Sequence, residues 1–165
     1  MTENEYADCM MAEALRVKLA PAEARENLQR ARERVETLRS KMTGVSGIRY
    51  DRGRMQSSRT YDLSDAMADL DDAERDEWRA SMIYTAAISS LQYCCMAAGF
   101  GAYQTRIWMM YYGAGISMGI IAMSMRTTKS RVQYLLTGTK IERDFCFGID
   151  TLSQYDILDE EDNYD

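Results

Sequence analysis

Gly115-Ile116-Ser117-Met118-Gly119-Ile120-Ile121-Ala122-Met123-Ser124-Met125-Arg126-Thr127-Thr128-Lys129-Ser130-Arg131-Val132-Gln133-Tyr134-Leu135-Leu136 reads as two short helices joined by a turn. Ser117 is placed to cap the first, whose inner face is Ile121 and Met125. Thr127 or Thr128 is placed to cap the second, whose inner face is Val132 with Leu135 or Leu136. Ala122 falls where two crossing helices come closest, and a larger side chain there would hold them apart. The spacing from Ala122 through the turn at Arg126 to Val132 is that of a helix-turn-helix over residues 116–139.

Outward from that stretch the chain is equally helical in character, and the expected fold class is all-α. Its 165 residues contain one proline, Pro21, and valine occurs only at Val17, Val35, Val45 and Val132, while Ala, Met, Leu, Arg and Glu are abundant. Residues 1–43 read as N-terminal helices, a short one up to Leu19 and a second starting after Pro21. In the second, Ala24, Leu28, Ala31, Val35, Leu38 and Met42 recur in steps of four and three. Such a stripe serves either packing within the chain or a coiled coil between copies, and so admits a homo-oligomer. Residues 44–61, rich in Gly, Ser and Arg, read as a linker loop. Residues 62–147 read as a helical domain: an acidic helix capped by Asp62 or Ser64, a stripe through Tyr84, Ile88, Leu91 and Cys95, a break at Gly99-Phe100-Gly101, then the helix pair. Residues 148–165 read as an acidic, disordered tail.

Charge distribution decides the partner class. The net charge of −6 alone disfavours a nucleic acid, because phosphate binding draws on clustered Lys and Arg. Yet residues 39–59 hold six basic residues against Asp51, and residues 126–143 hold five against Glu142. In a helix-turn-helix the second helix enters the major groove. Thr128, Lys129, Ser130, Arg131, Gln133 and Tyr134 are then the groove-facing candidates, with Arg126, Thr127, Lys140 and Arg143 around them for flanking phosphates. Double-stranded DNA is the expected partner.

Other chemistries find little support. With no His, no C-x-x-C pair and no phosphate-cradling glycine loop, neither a metal, a cofactor nor an enzymatic activity is expected. Cys9, Cys94, Cys95 and Cys146 read as reduced thiols, and the absence of a secretory signal points to the cytoplasm. Residues 80–105 and 107–125 are free of charge, which raises a membrane hairpin. The polar Ser, Thr and Gln of the first stretch, and Gly113-Ala114-Gly115 interrupting the second, argue against it. A helical adaptor that uses its two apolar stripes for partner helices, and never touches DNA, is the alternative function.

Two motifs carry a resemblance. Gly47-Ile48-Arg49-Tyr50-Asp51-Arg52-Gly53-Arg54-Met55-Gln56-Ser57-Ser58 is similar to a loop that follows the N-terminal helix in phage-encoded late-gene transcription regulators of the RinA and ArpU type. Met110-Tyr111-Tyr112 with Ile116-Ser117 and Ile121-Ala122 is similar to the start of their DNA-binding hairpin, which resembles region 4 of sigma factors. The likeness covers roughly residues 20–145. This chain has Tyr111 where the family has Arg, Met118 for Trp, Arg126 for the turn Gly, and Gly119 and Ile120 for acidic residues. The resemblance implies a phage or prophage regulator acting in a bacterial host cell, with RNA polymerase as a further partner.

Overall fold

The computed structural model describes the backbone of residues 3–45 and 63–161 and the side chains of residues 6–42 and 65–150. Among these residues every regular element is helical: α1 (Glu3–Val45), α2 (Leu63–Ala97), α3 (Ala102–Trp108) running on into a π turn (Met109–Gly113), α4 (Met118–Ser124), α5 (Lys129–Thr137) and α6 (Thr139–Glu161). The all-α class follows from the sequence as expected, since few residues that favour strands interrupt the helix formers.

Two units are distinguished, one made of Met1–Glu23 with Thr85–Asp165, the other of Ala24–Tyr84. The first is a globular unit built around Trp108, a fully buried side chain. Phe100, Tyr112 and Phe145 set their rings 5.2, 5.0 and 4.7 Å from it. Around this aromatic centre lie Leu91, Cys94 and Cys95 of α2, Ile107 of α3, Ile121 and Ala122 of α4, Val132, Leu135 and Leu136 of α5, Phe145 and Ile149 of α6, and Ala14 of α1. Burying these side chains supplies the main favourable term for the unit, at roughly 25 cal/mol per Å² of apolar surface.

Helix ends in this unit close by one device. After α2, Phe100 N–H donates to the Cys95 carbonyl at 3.0 Å and Gly99 N–H to Met96 at 2.9 Å, with Gly99 at φ +72°. After α4, Thr127 N–H donates to Ala122 at 2.9 Å and Arg126 N–H to Met123 at 3.2 Å, with Arg126 at φ +50°. Both are Schellman closures, which need a left-handed residue one place beyond the cap. At the first a glycine supplies it without a Cβ penalty; at the second an arginine does. Farther on, Gly148 of α6 lies so close to α2 that a Cβ there would meet the Ala98 nitrogen at 2.7 Å and the Cys94 oxygen at 2.8 Å.

The second unit is a two-helix hairpin. Arg32 pairs with Glu77 at 3.3 Å, Arg34 with Asp76 at 3.3 Å and Arg39 with Glu74 at 2.7 Å. Numbers rise along α1 as they fall along α2, so the helices run antiparallel. Ala24, Leu28 and Val35 of α1 and Ala73 of α2 are buried between them. The stripe of residues 24–42 is therefore used within the chain.

Four expectations change. Residues 1–43 do not hold two helices: α1 is continuous, with Pro21 inside it. Pro21 removes one helical hydrogen bond, but its ring is fully buried and Ala20, Ala22 and Ala24 around it are strong helix formers. Residues 1–43 are also not a separate segment, because Ala14 sits in the globular core while Ala24 belongs to the hairpin. Likewise, the unit boundary falls inside α2 rather than at residue 62. The tail read as disordered from residue 148 is helical as far as Glu161, since Gly148 and Ile149 are themselves buried and a helix already nucleated extends cheaply. The linker of residues 44–61 lies outside the described residues except for the end of α1 at Val45, and the Tyr50 and Gln56 loop motif lies wholly outside them.

Candidate nucleic-acid interface

The interface begins with how α5 is held. Thr128 stands at its N-cap in extended conformation, and its Oγ1 accepts from the Arg131 backbone N–H at 3.2 Å. Of the two threonines proposed as cap, Thr128 is the one that serves. Ser117 stands at the N-cap of α4 but makes no side-chain cap bond. Val132 and Leu136 are fully buried and Leu135 nearly so, which turns one side of α5 into the core. From below, Trp108 Nε1 donates to the Leu135 carbonyl oxygen at 2.9 Å. A buried indole N–H needs an acceptor, and here that need ties the recognition-helix candidate to α3.

Everything on the other side of α5 faces out. Thr128, Lys129, Ser130, Arg131, Gln133 and Tyr134 are all exposed. The Arg131 guanidinium lies over the Tyr134 ring, 5.5 Å from its centroid. Arg126, in the turn, is exposed and Thr127 is half-buried. Lys140 and Arg143, three residues apart and so on one face of α6, are exposed as well. Among the described residues no ion pair occupies Arg126, Lys129, Arg131, Lys140 or Arg143. In the hairpin, by contrast, Arg32, Arg34 and Arg39 are paired with carboxylates. Among the described residues, then, the cations on and beside α5 have no internal carboxylate in place of an external anion.

The face of α4 is split: Ile121 and Ala122 are buried, Met125 is half-buried, and Ile120 and Met123 are 54% and 75% exposed. Of the adjacent Ile120 and Ile121, one therefore looks inward and the other outward. Gly119 is open enough that an added Cβ would meet nothing within 4 Å.

Trp108 and Lys18 are the positioning residues that sequence reasoning did not single out. Lys18 Nζ lies 5.2 Å from the Trp108 ring centroid and 5.4 Å from that of Phe145, with Glu142 at 3.8 Å. Its side chain is only 11% exposed, so α1 closes over the aromatic centre with a cation. The signal for Trp108 was its type: the chain has only two tryptophans, and a buried one must satisfy its N–H. No local pattern marks Lys18.

Burial pushes the Cys94 thiol up to about 11 and that of Cys95 to about 12, so both stay protonated at neutral pH and pack as small apolar groups. The same cause lifts the Tyr112 hydroxyl to about 12. Cys146 is half-buried and Cys9 exposed, so of the four thiols Cys94 and Cys95 alone are core residues. Among the described residues no group of three His, Cys, Asp or Glu is placed to hold a metal ion. Among the same residues, no helix is long and apolar enough to cross a membrane. No family model matches the chain, and neither a curated protein nor a solved structure matches it.

Proposed function

We propose that this chain is a DNA-binding transcriptional regulator of the phage late-gene type, working in the cytoplasm of a bacterial host. In this reading α4 and α5 act as a sigma region 4-like helix-turn-helix, with α5 in the major groove of double-stranded DNA. One observation carries the reading. A capped helix, anchored from behind by Val132, Leu135, Leu136 and the Trp108 hydrogen bond, turns Lys129, Ser130, Arg131, Gln133 and Tyr134 outward, and among the described residues no carboxylate is paired to its cations. Lys129, Arg131 and Arg126 are the phosphate contacts, and Lys140 and Arg143 extend the positive strip onto α6.

The adaptor alternative is weakened by the fate of its stripes. Ala24, Leu28 and Val35 are buried in the hairpin, and Leu91 and Cys95 in the globular core, so these stripe positions are already packed within the chain. The decisive experiment replaces Lys129 and Arg131 together by Ala. Helix content by circular dichroism should be unchanged. Binding to regulatory DNA from the genome that encodes the chain should weaken, with the slope of log affinity against log salt falling by about 2. An unaltered affinity and slope would remove α5 from the interface.

A further inference from the structure

Helical geometry separates the outward residues of α5 by role. With Val132, Leu135 and Leu136 inward, the 100° step places Ser130, Tyr134 and Thr137 on the opposite crest. Lys129 and Gln133 fall on one flank and Arg131 on the other. Flank cations suit the phosphates that wall a groove, while the crest suits base edges on its floor. The largest side chain of the crest is an aromatic ring, 60% exposed, rather than a hydrogen-bonding amide. Thr137 is occupied locally, its hydroxyl donating to the Gln133 carbonyl at 3.0 Å. The Arg131 guanidinium, 5.5 Å from the ring centroid, restricts the freedom of the Tyr134 ring. Arg131 is itself at the capped first turn, where its N–H binds Thr128. A large side chain is thus exposed to solvent yet pre-ordered by a neighbour, which lowers the entropy cost of using it in a contact.

We propose that Tyr134 is a specificity-determining residue and that its ring reads the C5-methyl group of a thymine in the major groove. The methyl is the one apolar feature that the groove floor presents, and an aromatic face on the crest of the helix is its chemical complement. The inference rests on the reading of α5 as a major-groove helix. It adds that at least one required base pair of the site is T·A, recognised by shape and burial rather than by hydrogen bonds.

The test starts with selection of duplexes from a random pool by the wild-type chain. Each thymine of the enriched site is then replaced in turn by uracil, which lacks only the methyl, and affinities are measured for wild type, Tyr134→Ala and Tyr134→Phe. One thymine should be found whose replacement weakens wild-type binding about fourfold, the equivalent of one buried methyl. Tyr134→Phe should keep that sensitivity and Tyr134→Ala should lose it, with helix content unchanged in both because the side chain is exposed. If a site is enriched but tolerates uracil everywhere, or if the sensitivity survives in Tyr134→Ala, the thymine assignment is overturned while DNA binding stands. If no duplex is enriched, the groove reading falls and takes this inference with it.

Discussion

The globular unit and the hairpin are held together by different physics. In the first, aromatic rings within about 5 Å of Trp108 and a shell of buried aliphatic side chains exclude water around one centre. In the second, the side chains buried between two helices are Ala24, Leu28, Val35 and Ala73, two of them alanines that bury little. Three ion pairs bind its flanks, but their arginine side chains are 57–62% exposed, and such pairs each contribute about 1 kcal/mol or less. The contrast teaches where rigidity is spent. The unit that carries α5 has the well-packed core that a fixed binding face requires, and the hairpin is the softer of the two.

Three substitutions would break or sharpen this contrast. Trp108→Ala should have the largest effect, costing the globular unit about 4 kcal/mol in chemical denaturation. It removes both the ring centre and the bond to the Leu135 carbonyl, so DNA binding should be lost with near-UV dichroism. Retention of binding would mean that α5 does not need this core. Leu28→Ala should come next, at about 2 kcal/mol, seen in the thermal melting of helix signal. Its effect should stay in the hairpin, leaving DNA affinity and salt slope unaltered; an equal loss of binding would show that the two units are not energetically separate. Arg126→Gly should be smallest and of opposite sign. Relieving the left-handed strain at φ +50° should stabilise the globular unit by up to about 1 kcal/mol in urea titration. The same change should weaken DNA binding through the lost cation. A stabilised variant with undiminished affinity would take Arg126 out of the phosphate contacts.

Local interactions were legible in the sequence, and distant ones were not. Thr128 as a cap, Ile121 and Val132 as inward residues and Arg126 at the turn depend on neighbours within about four positions, which is the range over which helical periodicity and capping act. Arg126 was recognised as standing where glycine is usual, and its positive φ bears out the turn geometry, while its role toward DNA is a separate matter. Pro21 misled because a proline after a short helical stretch is a good stop signal unless its ring is buried, and burial is a tertiary property. The tail misled in a similar way: seven acids and no base in residues 150–165 outweighed the apolar residues just before them, whose burial had no local sign. Trp108 meets Leu135 across 27 positions, and Lys18 meets Glu142 across still more. Nothing in a linear pattern announces contacts of that reach. The exposed face of α5 was legible as a set of residue types; its division into crest and flanks needed to know that Leu135 and Leu136 are both buried beside Val132.

The globular unit is discontinuous in the chain: its first part precedes Ala24 and its second begins at Thr85. A ribosome makes the middle of the molecule before Phe145 and Ile149, so the hairpin can form first while Ala14 and Lys18 wait for companions from beyond it in the chain. The packed support behind α5 therefore closes only after the part of the unit that carries Phe145 and Ile149 has been made, and a product terminated before them would carry the hairpin without that support.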